Sequence, residues 1–231
     1  MRIVLLPGMD GTGELFESFV SLIEERFSVI VVRYPTTEPW GYTELKAFAR
    51  SALPNEEPFV ILGESFSGPI AISLANSCST QLKGIILCCS FARNPHPFFS
   101  IFQPLVSIFP ISIVPKVVLN FFLLGQFATA TLRSTLSHAV SEVSSVALKA
   151  RLKAVLKVNV SDELASITVP ILCLCASHDR VVPRRAAELI TQLNPRARVK
   201  QIDAPHFLLQ AAPAEASNVI GTFIQEVQNA L

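Results

Sequence analysis

Charge is scarce in this chain, and basic blocks are missing altogether. Only 16% of the residues are charged and the formal net charge is +1. A nucleic-acid surface needs a clustered positive face, so that class of partner is excluded. Uninterrupted apolar runs are missing too. The most apolar region, 95–127, is cut by Gln103, Lys116, Asn120 and prolines 95, 97, 104, 110 and 115. None of its pieces reaches the ~20 residues of a membrane span. The apolar run before Pro7 is too short for a signal peptide. There is no internal repeat and no low-complexity linker. Cysteine is sparse and odd in number, at 78, 88, 89, 173 and 175. Cys173 and Cys175 share one face of a strand-like run, but no second ligand pair stands at zinc spacing. Cysteines in such runs act as small core residues. An odd count without a secretion signal leads to the expectation of a reduced, cytoplasmic setting. No metal and no organic cofactor is implied.

What is abundant is apolar side chain. Half of the 231 residues are hydrophobic, enough to bury a large core in one α/β domain with an inserted lobe. Short runs that are apolar on both faces, as central parallel strands are, alternate with helical patterns. Strands are expected at Ile3–Leu6, Ser28–Arg33, Phe59–Leu62, Lys83–Ser90, Val169–Ala176 and Arg198–Ile202. Thr43–Leu53 reads as a helix with Thr43 as its cap. No strand pattern occurs between Phe91 and Val160, a gap of roughly seventy residues that is too long for one crossover. The expectation is therefore a core of residues 1–90 and 161–231 with an inserted helical cap, 91–160. The cap's first half carries Phe98, Phe99, Ile101, Phe102, Phe109, Phe121 and Phe122, which fits a lid over an apolar cavity or a face that leans on a membrane or a partner. Its second half carries Val143, Val146, Ala150 and Ala154 at helical spacing, with Lys149, Arg151, Lys153 and Lys157 on a solvated face or against an acidic partner. Six strands alternating with helices imply a mostly parallel six-stranded sheet with helices on both faces. Its chemistry would collect where the strands end.

Four strand ends carry candidate groups. Pro7-Gly8-Met9-Asp10-Gly11-Thr12-Gly13 is a tight, backbone-exposing loop. Gly63-Glu64-Ser65-Phe66-Ser67 is a G-x-S-x-G elbow with Ser67 at the closing glycine position. A strand that becomes a helix within two residues strains the turning residue and needs small neighbours. Ser177–Pro183 and Asp203–Phe207 follow the fifth and sixth strands. A serine hydroxyl needs a base, and the chain has only four histidines, of which His178 and His206 follow strands. The order Ser65, Asp179, His206 is that of the nucleophile, acid and base on such an elbow. The rivals have plainer readings. Asp203 lies too near His206 in the chain and bonds locally, His178 is a solvated neighbour of Asp179, Asp10 and Glu64 are loop hydrogen-bonders, and Trp40 packs.

From Arg2 to its end the chain resembles an α/β-hydrolase. Pro7-Gly8-Met9 resembles the His-Gly-x oxyanion loop of that superfamily, with proline where histidine is frequent. Gly63–Ser67 matches its elbow, Val169–Pro183 its acid segment, and Ala204-Pro205-His206-Phe207-Leu208 its histidine loop. The small capped esterases and thioesterases, including the carrier-protein methyl esterases, are similar. The resemblance implies an α/β-hydrolase fold with Ser65 as nucleophile, His206 as base, Asp179 as its orienting acid, and the N–H groups of Met9 and Phe66 as oxyanion donors.

The expected activity is hydrolysis of a carboxylic ester or thioester with an apolar acyl group. The implied partners are a small acyl ester or thioester, or an acyl carrier protein bearing one. Two alternatives stay open. Pro7–Gly13 also resembles the oxyanion loop of plastid phytyl-ester-forming acyltransferases, which would pass the acyl group to an alcohol or thiol. A non-catalytic binding protein on the same scaffold is the other. Ser65 excludes dehalogenase and epoxide-hydrolase chemistry, which needs a carboxylate at the elbow.

Overall fold

The computed structural model describes residues 1–77, 80–98 and 115–230. The expectations that fall on Cys78 and on the apolar stretch 99–114 lie outside these residues. Six strands form one sheet in the order β2-β1-β3-β4-β5-β6. They are β1 (Arg2–Leu6), β2 (Ser28–Val31), β3 (Phe59–Glu64), β4 (Leu82–Cys88), β5 (Ile171–His178) and β6 (Ala197–Pro205). All five pairings are parallel.

Alternation along each strand feeds two cores. Val4, Leu6, Ile61, Ile85, Leu87 and Ile171 face one side, where they meet Leu45 and Ala49 of α2 (Tyr42–Ser51) and Ile70 and Leu74 of α3 (Gly68–Ser77). Ile3, Leu5, Val60, Leu62, Ile86 and Leu172 face the other, against Phe16, Phe19 of α1 (Glu17–Ile23), and the C-terminal helix. That helix, Pro213–Asn229, opens with Pro213 in its first turn and buries Ala216, Ile220, Phe223, Ile224 and Val227. The spacing is the inward stripe of an amphipathic helix. Burying each of the larger side chains contributes about 1.5–3 kcal/mol. α2 begins one residue before the proposed Thr43 cap. Gly41 is its cap residue, and its N–H donates to the Glu44 carboxylate at 3.0 Å.

Among the described residues between β4 and β5 there are four α-helices: α4 (Lys116–Leu123), α5 (Ala130–Ser141), α6 (Ser145–Lys157) and α7 (Ser161–Ser166). An isolated bridge between Arg93 and Asn159 closes the base of this segment. Its helix faces correct one expectation. The buried stripe is Val143, Ala147, Arg151 and Val155, while Val146 is 58% exposed. The inward face is rotated by about one residue, because Arg151 turns inward to backbone carbonyls instead of outward to water. Val117, Phe121 and Phe122 of α4 are exposed. Among the described residues no helix is long and apolar enough to cross a membrane. α8 (Arg185–Leu193) and α9 (Leu208–Ala211) follow β5 and β6, and α10 is the C-terminal helix.

Candidate active site

Register decides which loops meet. Leu6 pairs with Gly63, so the Pro7–Gly13 loop and the elbow leave the sheet side by side. The chain runs from β1 outward to β2 and then returns to the other side of β1 as β3. That reversal is the switch point at which parallel sheets open a crevice. His178 pairs with Pro205, so Asp179 and His206 also emerge together.

Ser65 turns the corner with φ of 47°, in the left-handed region that few non-glycine residues occupy. Its neighbours must be small. A Cβ on Gly63 would stand 2.7 Å from the Ser67 carbonyl, and one on Gly68 would stand 1.8 Å from Ser90 Oγ. Ser65 Oγ lies 2.9 Å from His206 Nε2. His206 Nδ1 lies 2.9 and 3.0 Å from the two Asp179 oxygens. Asp179 Oδ1 also accepts the N–H groups of Val181 and Val182 at 2.8 Å. A proton on Nδ1 facing the carboxylate leaves Nε2 free to accept from the serine hydroxyl. The His206 and Asp179 side chains are only 4% and 8% exposed. The three side chains read from distant parts of the sequence thus form one hydrogen-bonded chain.

The Pro7–Gly13 loop and the elbow are held by groups whose sequence positions gave no sign of this role. Ser67 Oγ donates to the Pro7 carbonyl and lies 2.9 Å from Tyr34 Oη. Its one proton is committed to Pro7, so the Tyr34 hydroxyl donates to Ser67. Burial pushes the Tyr34 phenol well up, which keeps it a donor. Serine at the closing elbow position is therefore a tether between two loops. Ser90 Oγ donates to the Ser65 carbonyl at 2.5 Å, and Tyr42 Oη to the Phe66 carbonyl at 3.0 Å. Arg151 Nη1 donates to the carbonyls of Met9 and Asp10 at 2.8 and 2.7 Å, and Nη2 to that of Pro35 at 2.8 Å. Its place four residues after Ala147 and four before Val155 was the available signal that it faces inward.

A cavity of about 350 Å³ opens at Ser65, walled by Met9, Phe66, Phe91, Leu152, Val155 and Val181 among others. Met9 and Phe66 both border it. A larger concavity of about 810 Å³, with Glu14, Glu17, Glu24, Arg33 and His138 on its wall, shares none of these residues. The smaller one is the candidate site because the serine opens into it.

The remaining candidates are also placed. Asp203 bonds across the sheet edge, accepting from Ser177 Oγ at 2.7 Å and lying 3.1 Å from His178 Nε2. His178 is half exposed, in keeping with its solvated reading, and pairs with Asp203, which therefore bonds across to β5 and not locally as expected. Asp10 accepts the N–H and the hydroxyl of Thr12 at 3.0 and 2.7 Å. Glu64 is more than a loop bonder. It is 5% exposed and accepts Gln210 Nε2 at 2.9 Å. Burial pushes its carboxyl up to about 7, against the lowering effect of the Gln210 hydrogen bond. Trp40 packs on Phe48 with ring centroids 5.8 Å apart. Cys88, Cys89 and Cys173 are buried, and Cys175 is half-buried with its sulfur 3.9 Å from that of Cys173. Cys89, Asp179 and His206 hold potential metal ligands within 4.8 Å of one another. Backbone N–H groups and the imidazole already account for the Asp179 oxygens.

The model of the alpha/beta hydrolase family matches residues 3–218. The chain belongs to the alpha/beta hydrolase family. Solved structures share this family fold at low identity. A thermophilic esterase from Thermogutta terrifontis is 18% identical, with a TM-score of 0.84 over 98% of this chain and 90% of its own. A hydrolase from Oleispira antarctica is 16% identical, with a TM-score of 0.84 over 97% of this chain and 90% of its own. A bromoperoxidase from Bacillus anthracis is 16% identical, with a TM-score of 0.82 over 97% and 91%. A search of curated proteins found no match. Likeness at such identity establishes the fold, and one fold hosts many chemistries, so the chemistry must be argued from the site.

Proposed function

We propose that this alpha/beta hydrolase family member is a serine hydrolase that cleaves a carboxylic ester or thioester with an apolar acyl group. The observation that carries the reading is the unbroken chain from Ser65 Oγ through His206 to Asp179, with contacts of 2.9 Å at each step, at the mouth of an apolar cavity.

The steps follow from these atoms. His206 Nε2 takes the Ser65 proton as Oγ bonds to the acyl carbon. The carbonyl π pair moves onto oxygen, and the N–H groups of Met9 and Phe66 receive that negative charge. One oxyanion donor contributes about 3 kcal/mol to a transition state of this kind. When the tetrahedral species collapses, the C–O or C–S bond breaks and His206 returns the proton to the leaving alcohol or thiol. Water then attacks the acyl-serine by the same route, releasing the acid and restoring the hydroxyl. Asp179 keeps His206 in the accepting tautomer and stabilises the imidazolium. The cavity walls offer almost no polar partner, so an apolar acyl chain is the group they would hold.

A panel of p-nitrophenyl esters from acetate to palmitate, run beside matching acyl-CoA thioesters, tests the reading. Hydrolysis is expected, and failure on every member would overturn it in favour of a binding protein. A transfer product with added alcohols, exceeding hydrolysis, would replace water by another acceptor.

A further inference from the structure

Arg151 belongs to α6, yet its side chain is fully buried. Burying a guanidinium costs several kcal/mol unless its protons are matched. Here three are spent on backbone carbonyls, while the buried Nε has no hydrogen-bond partner. Those of Met9 and Asp10 converge on the single nitrogen Nη1, at 2.8 and 2.7 Å. Two carbonyl dipoles aimed at one point repel each other unless a cation stands between them. The fit is close enough that a Cβ on Gly11 would lie 2.6 Å from Nη1. Helix docking alone does not require this arrangement, since an apolar side chain would seat α6 without desolvating a charge.

The loop geometry shows what the clamp fixes. The Gly8 carbonyl accepts the Gly11 N–H at 3.1 Å, closing a turn with Met9 and Asp10 at its centre. The Gly11 carbonyl in turn accepts the Tyr34 N–H at 2.8 Å. The Gly8 carbonyl and the Met9 N–H belong to one peptide, so the turn that Arg151 braces through the Met9 and Asp10 carbonyls sets the direction of that N–H. The same helix supplies Leu152, Val155 and Leu156 to the Ser65 cavity. One rigid element therefore both walls the acyl pocket and grips the loop beside it.

We propose that Arg151 is a positioning residue that aims the Met9 N–H at the oxyanion, so that Ser65 turns over only when α6 is seated. This rests on the role given to Met9 under the proposed function. Arginine is required because a planar fork reaches three acceptors at fixed angles, whereas lysine offers a point charge.

The test compares wild type, Arg151→Ala, Arg151→Lys and a control on the same helix, Lys153→Ala. The readouts are kcat and KM on a p-nitrophenyl ester, and inhibition by a trifluoromethyl ketone that forms an oxyanion adduct on serine. Active-site titration normalises all of them to folded enzyme. Arg151→Ala is expected to lose about 100-fold in kcat with KM changed less than about 3-fold. Affinity for the ketone should fall in parallel, and millimolar guanidinium should restore about 10-fold of the rate. Lys153→Ala should match wild type throughout. Where Arg151→Ala does not fold, Arg151→Lys decides, with an expected loss of about 10-fold in kcat. Unchanged kcat and ketone affinity per folded site in the Arg151 variants would overturn the inference while leaving the proposed function standing. A wild type that neither hydrolyses the esters nor binds the ketone would remove both.

Discussion

The two halves of the site are built in different ways. In one half, side chain meets side chain: Ser65, His206 and Asp179 are linked directly at 2.9 Å. In the other, the groups proposed to act are backbone N–H donors, and distant side chains hold their peptides. Arg151 grips Met9 and Asp10, Ser67 ties Pro7, and Tyr42 ties Phe66. The first half depends on residue type at three positions. The second depends on peptide orientation, which a dispersed set of residues enforces, most of them far from the loop in sequence.

The contrast can be broken hardest on the side-chain half. Asp179→Asn removes the charge that faces imidazole and presents an amide that cannot hold Nδ1–H in the same way. The expected loss is about 10⁴-fold in kcat/KM. Asp203→Asn, which disturbs only the exposed contact with Ser177 and His178, should stay within about 3-fold. Equal losses would exchange the roles of the two acids, and steady-state kinetics on one ester decides.

Glu64 joins the halves, since it precedes Ser65 and its carboxylate also accepts the Gly8 N–H. Its carboxyl is raised from 4.5 to about 7. The folded protein therefore holds a proton that the unfolded chain has released, and stability falls as pH rises from about 4.5 to about 7. Glu64→Gln removes that loss, by on the order of 3 kcal/mol at pH 8. The expected outcome is a melting-temperature advantage for the variant that is small at pH 5 and larger at pH 8. An advantage independent of pH would contradict the buried ionisation.

Smaller effects probe the tethers. Ser67→Ala leaves the Pro7 carbonyl and the Tyr34 hydroxyl without this partner, at a cost of about 1–3 kcal/mol. Tyr34→Phe removes a donor and leaves the Ser67–Pro7 bond, at about 1 kcal/mol. Denaturant melts check both. Tyr34→Phe costing more than Ser67→Ala would contradict Ser67 as the joint that carries both contacts.

The same contrast explains what was legible in the sequence. Short runs that are apolar on both faces gave the central strands, because a parallel sheet covered on both faces buries every position of them, as β3 does. Their ends shifted by a few residues. β6 runs on to Pro205, where pairing with β5 continues and Ala204 and Pro205 are buried, a stretch without the apolar pattern of a strand. Ser65, Asp179 and His206 were legible as a set because the roles proposed for them, nucleophile, acid and base, require given residue types at strand ends in a given order. Arg151 was misplaced on a solvated face because charge is ordinarily exposed, and its carbonyl acceptors leave no residue signature. Ser67 departs from the elbow's closing glycine, and the Pro7 carbonyl and Tyr34 hydroxyl beside it explain the hydroxyl. His178 is solvated, as expected, and its contact with Asp203 on the neighbouring strand has no residue signature.

The most direct measurement is the site of covalent capture. A fluorophosphonate should add one phosphonyl group to the peptide bearing Ser65, read by mass spectrometry, with a rate lowered by several orders of magnitude in His206→Ala. Esterase activity that persists with Ser65 unmodified, or capture at Ser65 that is indifferent to His206, would contradict a serine made nucleophilic by that imidazole.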